Sequence, residues 1–523
     1  MKRRDVLKAG AAGALMPGFA IGQQAKVIKF VPQADLALLD PVQTTGLVTR
    51  NHAMMVFDTL YGMDNQFQPQ PQMVAGHQVG DDGKTWTLTL RDKLAFHDGT
   101  PVLARDAVAS IERWAKVDVL GQLMRAQLDE LSAPSDKTLR FRFKKPFPLL
   151  PLALSKTSGM CPIMPARLAA TEPSVQVTEM VGSGPFRFVP GERVPGSRVV
   201  YQKFAGYVPR EGAPAFTSGA KIAYVDRVEW HTIPDAATAA AALQSGEVDW
   251  WEQPIPDLIP VLRGHKDINV QVHDKAGSMA MIRFNQLNAP FDKPAVRRAL
   301  LAGITQSDYM MAAMGEDKLR WRDNVGFFLP GTPYANDGGM ASLTSARSLE
   351  KVKKDLAAAG YKGEKVVMLV PTDFAVLNAM SEVAGDYFKR VGINLDYQSL
   401  DWGTVLQRLA SKQPIDKGGW SLFCNFVPGI ITTSPPLHTY MRGVGAKGTF
   451  GWPESAKHEA LLDAFFGAAA LPEQQRLARE MQLQAFQDVP YIPTGLMLQP
   501  AAYRKSLGGM LDGSPLFHNI KKA

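Results

Sequence analysis

The chain has 523 residues, of which 46% are hydrophobic and 21% charged, with a formal net charge of +8 and two cysteines. At about 100–200 residues per domain this length predicts two to four domains with substantial cores. No uninterrupted apolar run of about 18 residues offers a membrane-spanning helix, and a mild basic excess without basic runs gives no indication of nucleic-acid binding.

The chain opens MKRRDVLKAGAAGALMPGFAIGQQA. Lys2, Arg3, Arg4 and Lys8 precede a short apolar stretch, Ala9 to Ala20, and small residues follow at the position a signal peptidase reads. Residues 1–22 are therefore expected to be an export signal rather than part of the fold. Arg3 to Lys8 resembles the twin-arginine type. No lipid-accepting cysteine follows, so a periplasmic protein without a lipid anchor is expected. Cys161 and Cys424 lie far apart in sequence, and unpaired buried thiols are the preferred reading.

Strand and helix signals alternate through most of the chain, which predicts α/β lobes. In WTLTLRDKLAFHDGTPVLARDAV (Trp86–Val108), Trp86, Leu88 and Leu90 alternate with threonines as a half-buried strand. Asp98-Gly99 with Pro101 marks a turn. A helix is expected from Ala104, with Asp106 in its first turn facing the positive end of the helix dipole. His97 beside Asp98 invites a catalytic reading, but no nucleophile or metal partner is near in sequence. A structural corner is the favoured reading. Trp250 and Trp251, being adjacent, cannot share one face. One is expected in the core and the other at the surface or in a cleft.

After Phe284 the pattern sharpens. FDKPAVRRALLAG opens a helix with Asp292 and Pro294 as start signals. SLEKVKKDLAAAGY puts Leu349, Val352, Leu356 and Ala359 on one face and stops at Gly360. A short apolar strand, Val366 to Val370, precedes a helix ending at Gly392. Ile393, Leu395 and Tyr397 then alternate, completing a crossover unit of a parallel sheet.

These segments together resemble family 5 solute-binding proteins of ABC importers, the peptide, nickel and opine binders. Phe96 to Pro101 matches that family's strand-to-helix corner, with departures at Leu103 and Ala107. LALLDPVQTT (Leu36–Thr45), DTLYGMD (Asp58–Asp64), VGSGPFRFVPGERV (Val181–Val194), IPDAATAAAALQSGEVDW (Ile233–Trp250), FNQLNAPFDKPAVRRAL (Phe284–Leu300) and QQRLAREMQLQAFQDVPYIPTG (Gln474–Gly495) are similar to further family segments, in the family's order.

The resemblance implies an α/β, two-lobe periplasmic binding protein of type II, large cluster C type. Lobe 1 would comprise 26–275 plus 488–523, and lobe 2 276–487, with a hinge between them. Ligand would be trapped as the lobes close, and a monomer would deliver it to a membrane permease and its ATPase subunits. No cofactor, no metal, no nucleic-acid partner and no catalytic residue is expected.

The family's peptide binders carry Gly-Trp-x-x-Asp, whose aspartate pairs with the peptide α-amino group. GGWSLFCNF (Gly418–Phe426) keeps Trp420 but has Phe423 in place of that aspartate. A charged amine without its carboxylate would be costly to enclose. An amine-terminated peptide is thus disfavoured unless Asp401 or another acid compensates, and a modified peptide, an opine-like or sugar-like compound, or a more apolar solute gains. The resemblance makes Trp402, Trp420, Phe423 and Asn425 the ligand-binding candidates of lobe 2, and Thr44, Thr45, Ser183 and Gly184 those of lobe 1.

The alternatives are a nickel-chelate or haem binder of the same fold, an exported hydrolase, or a scaffold without solute. GVGAKG (Gly443–Gly448) matches G-x-G-x-x-G but lacks a preceding strand and is followed by Pro453, so it reads as a glycine-rich loop. His458-Glu459 lacks a second histidine at position 462, and the nine histidines show no metal-ligand spacing.

Overall fold

A computed structural model describes residues 25–523; the export signal expected over 1–22 lies outside them. Two large sheets organise the chain. The first has seven strands in the order Ile268–Gln271, Ala501–Arg504, Trp250–Trp251, Val27–Val31, Arg227–His231, Arg198–Lys203, Phe186–Phe188. Val27–Val31 lies inside it, parallel to a neighbour on each side. The second has six strands, in the order Trp321–Arg322, Tyr491–Met497, Ser278–Phe284, Leu422–Pro428, Val366–Pro371, Leu395–Leu400. A four-stranded antiparallel sheet holds Val74–Gly80, Thr85–Leu90, Thr138–Phe143 and Leu128–Ser135.

The chain passes between the two large sheets at 272–277 and again at 498–500. The second passage corrects the expected lobe division. Tyr491–Met497 falls within the expected lobe 1 tail, but it pairs antiparallel with Ser278–Phe284 in the second sheet. Only from Ala501 does the tail join the first sheet, beside Trp250–Trp251 and Ile268–Gln271. The reason is hydrophobic: every residue of Tyr491–Met497 is buried, which an edge position would not provide. At the first passage Gly277 has φ +49, and a Cβ there would stand 2.2 Å from the Met497 carbonyl oxygen. The two passages run so close that only glycine fits.

Local elements follow the sequence pattern. In Thr85–Leu90, Trp86, Leu88 and Leu90 are buried and the threonines are not. The Ala104–Ala115 helix has Asp106 reaching back, its Oδ2 accepting from the Leu103 N–H at 2.9 Å and its Oδ1 from the Ala166 N–H at 2.9 Å. Ser348 caps Leu349–Ala358 by accepting from the Lys351 N–H at 3.2 Å. The helix expected to open on Asp292 instead starts at Pro294, with Lys293 at the preceding position and no side-chain cap. Val366–Pro371, Ala375–Arg390 and Leu395–Leu400 form the expected crossover unit, the two strands pairing parallel.

Trp250 and Trp251 point to opposite faces, yet both are buried. Trp250 packs with Phe30 and Phe517, and Trp251 joins a separate cluster under the Ala236–Ser245 helix. The expectation of an exposed or cleft partner fails because this sheet is covered on both faces. Cys161 and Cys424 are both buried and unpaired. GVGAKG forms a single 3-10 turn, Gly445–Lys447, with Val444 bridged to Glu454. Among the described residues no helix is long and apolar enough to cross a membrane.

Candidate functional site

The corner at His97 is structural. The imidazole accepts from the Gly182 N–H at Nδ1 (3.3 Å), and its Nε2 lies 3.0 Å from the Gly184 carbonyl oxygen, so Nε2 donates. It packs edge-on against Phe204. Burial pushes its pKa down to about 4, which keeps it neutral. Asp98 is exposed and its Oδ1 accepts from both the N–H and the hydroxyl of Thr100. His97 pins the loop at 182–184 to the strand-to-helix turn, and Asp98 closes that turn on Thr100.

A cavity of about 620 Å³ opens elsewhere, where the two lobes meet. Its volume falls within the range used for small-molecule sites. From the first lobe come Thr45, Met63, Asp118, Val119, Leu120 and Lys156 to Ser158. The second lobe contributes Trp402, Phe423, Asn425, Phe426, Ile430, Tyr440 and other, mostly apolar, residues.

The second-lobe wall is built on Leu422–Pro428. Alternation along this strand turns Leu422 and Cys424 into the main core, while Phe423 joins a cluster on the other face. Asn425 shares the Phe423 face, and its amide makes no hydrogen bond among the described residues. Phe423 rests edge-on against Trp420, with centroids 5.3 Å apart. Trp402 is the first residue of Trp402–Leu409, its N–H bonded to Asp373 Oδ1 at 2.8 Å. Phe374 stands edge-on to both Trp402 and Phe426.

Arg283 supports this wall from behind. It is fully buried and has no acidic partner within ion-pair distance among the described residues; instead it donates to the carbonyls of Tyr440 (3.0 Å) and Phe450 (3.2 Å) and to the Thr449 hydroxyl (3.3 Å). Its guanidinium lies 4.8 Å from the Tyr440 ring centroid. Burial lowers its pKa to about 10, still charged at neutral pH.

The structure separates the expected site residues into two groups. Thr45, Trp402, Phe423 and Asn425 line the cavity. Trp420 does not: it is 0% exposed, packed among Val367, Leu369, Val405 and Trp452, one layer behind Phe423. Thr44 serves the adjacent turn, its Oγ1 accepting from the Gly46 N–H. Ser183 and Gly184 are buried against the end of the Leu47–Val56 helix, where a Cβ on Gly184 would stand 2.4 Å from the Met55 carbonyl oxygen. Their sequence context set them near a ligand, but the close backbone approach gives them a packing role. Asp401 compensates nothing in the cavity. It is exposed, and its carboxylate caps Trp402–Leu409 through the Thr404 N–H and hydroxyl.

Most of the lining, including its two charged residues, is not singled out by the sequence. Asp118 caps Val119–Gln127, its Oδ1 accepting from the N–H groups of Leu120 (3.0 Å) and Gly121 (2.9 Å). Its other oxygen is bound by the Lys156 ammonium. An aspartate before an apolar helical run was a legible cap; nothing in the sequence placed Lys156 beside it.

Comparison with known proteins agrees with this geometry. The family model "Bacterial extracellular solute-binding proteins, family 5 Middle" matches residues 68–446. A "Probable peptide ABC transporter periplasmic-binding protein y4tO" of Sinorhizobium fredii (strain NBRC 101917 / NGR234) is 36% identical over 533 residues, covering 100% of both chains. The "Glutathione-binding protein GsiB" of Escherichia coli (strain K12) is 24% identical, covering 97% of this chain and 96% of its own. Among solved structures, the binding protein AgaA in complex with agropinic acid, from "A.tumefacien R10", is 20% identical with a TM-score of 0.76, covering 95% of this chain and 98% of that one. A family match across most of the chain, on a two-lobed frame with a solute-sized cavity where the lobes meet, means that this chain belongs to family 5 of the bacterial extracellular solute-binding proteins.

Proposed function

We propose that the chain is the solute-capturing component of an ABC importer, working in the periplasm as a monomer and without catalysis. An organic solute enters between the lobes, contacts both, and so stabilises the closed arrangement. A membrane permease with ATPase subunits then receives it. The lobes divide at the two passages between the large sheets, 272–277 and 498–500, which serve as the hinge.

The observation that carries this reading is the cavity of about 620 Å³ with walls from both lobes. A wall of that kind couples occupancy to closure, because ligand contacts are complete only when the lobes approach. Relatives named for peptide and glutathione binding support an organic solute of peptide-like size.

The test is native mass spectrometry of protein purified from its own host, with small-angle scattering before and after the solute is removed. A bound small molecule and an increase in radius of gyration on its removal are expected. Protein that carries no solute and keeps one radius of gyration throughout would sink the reading.

A further inference from the structure

We propose that the solute is a singly charged acid with an apolar body and no free amine, its anionic head bound at Lys156. This rests on the reading that the cavity holds a solute, and it names the chemical class.

Among the described residues, Asp118 and Lys156 are the only charged ones lining the cavity, and both belong to the first lobe. Their side chains are 9% and 12% exposed. Asp118 is largely committed: one oxygen holds two backbone N–H groups and the other holds Lys156. Lys156 is not. An ammonium has three donors, and among the described residues its only hydrogen bond is to Asp118.

Three further features favour an anion there. Val119 and Leu120 line the cavity at the start of the nine-residue Val119–Gln127 helix, whose N-terminal end carries positive partial charge. Thr157, also in the lining, is 3% exposed and its hydroxyl has no hydrogen-bond partner among the described residues. An unmade buried hydrogen bond is costly, and a ligand oxygen or a bridging water would remove that cost. Ser158 adds a second hydroxyl beside it.

An ammonium group is disfavoured at the same place. To reach Asp118 it would approach Lys156, a like charge in a poorly solvated site. At the other end the wall is Trp402, Leu406, Phe423, Phe426 and Ile430, with only neutral polar groups such as Asn425 and Tyr440. A second charge on the solute would lie against that wall without a counterpart.

Three probes decide it: N-acetyl-Phe-Leu with a free carboxylate, the same compound as its C-terminal amide, and unmodified Phe-Leu. Calorimetry on the solute-stripped protein should find the acetylated acid bound about tenfold or more tightly than either of the others, the scale of a charge-assisted hydrogen bond. Lys156→Met should erase the preference for acid over amide, and Lys156→Arg should keep it; circular dichroism confirms that each variant is folded. The solute released from native protein should give no product with an amine-reactive reagent. Equal binding of acid and amide, or tightest binding of unmodified Phe-Leu, overturns the proposal while leaving solute capture intact. No binding of any probe by a protein that also carries no native solute overturns both.

Discussion

The rings of Phe147, from the first lobe, and Phe466, from the second, lie nearly parallel, centroids 6.3 Å apart and planes 18° apart. Phe147 also stacks on Phe143, and Phe143 on Phe141, so a ladder of rings runs from the four-stranded sheet to the Ala456–Gly467 helix of the second lobe. This contact exists only while the lobes are together. An aromatic pair of this kind contributes about 0.5–1.5 kcal/mol. Phe466→Ala is therefore expected to weaken solute affinity by roughly 2- to 12-fold through the loss of closed population. Small-angle scattering should show a more open solute-free ensemble, with the melting temperature of the lobes little changed.

At the hinge, Gly277→Ala is expected to destabilise the protein by more than about 1 kcal/mol, since it combines a positive φ with a backbone clash. The new Cβ would press on the Met497 carbonyl, so the two passages must part. Urea unfolding measures the loss. Stability equal to the parent would mean that the passages are not so close.

Trp402 and Trp420 should separate cleanly by variant. Trp402→Ala removes a lining side chain and should weaken solute binding while the fold survives. Trp420→Ala empties the layer behind Phe423 and should cost about 3–5 kcal/mol of stability. Trp420→Phe should cost less, because the buried indole N–H has no acceptor among the described residues and its removal is no loss. Calorimetry and denaturant midpoints on the three variants check the order.

Arg283→Met is expected to be destabilising and to weaken binding. It frees the carbonyls of Tyr440 and Phe450 from the donor that orders them, and leaves the space of a fully buried guanidinium to be refilled. Hydrogen exchange should rise in 440–450 before it rises elsewhere.

Acid should destabilise the protein from pH 6.5 downward. Burial pushes His52, His438 and His518 to about 3, and His97 and His458 to about 4. Below pH 6.5 the unfolded chain takes up protons on these rings while the folded chain does not. The unfolded state then binds more protons, so stability falls with falling pH until the folded values are reached. It is fully present above about 6.5. Denaturation midpoints between pH 7 and 4.5 should decline, and His97→Gln should lower the slope by up to one proton. A flat profile would contradict the neutral burial of these rings.

Local structure was legible wherever one period dominated. Trp86, Leu88 and Leu90 gave a strand because period-2 burial needs no knowledge of partners. Val352 and Leu356 gave a helix for the same reason at period 3.6. The strand Tyr491–Met497 was misassigned because its continuous burial says only that it is enclosed, not by which sheet. The motif Gly418–Phe426 contributes Phe423 and Asn425 to the cavity wall. It misplaced Trp420 by one layer, since alternation along a strand does not say how a residue before the strand turns.

Sequence by itself determined the family, the alternating α/β elements, the strand-to-helix corner at His97 and the loss of an acid at Phe423. Each is carried by residues close together in the chain, where covalent geometry fixes the spacing. Only the tertiary structure decided that Asp118 and Lys156 provide the charge facing Phe423. Asp118 and Lys156 come from the first lobe and Phe423 from the second, and the fold brings them to one cavity. The physical reason is that a cleft's chemistry belongs to surfaces brought together by the whole fold, and buried charges come to rest where a partner and a helix end can hold them.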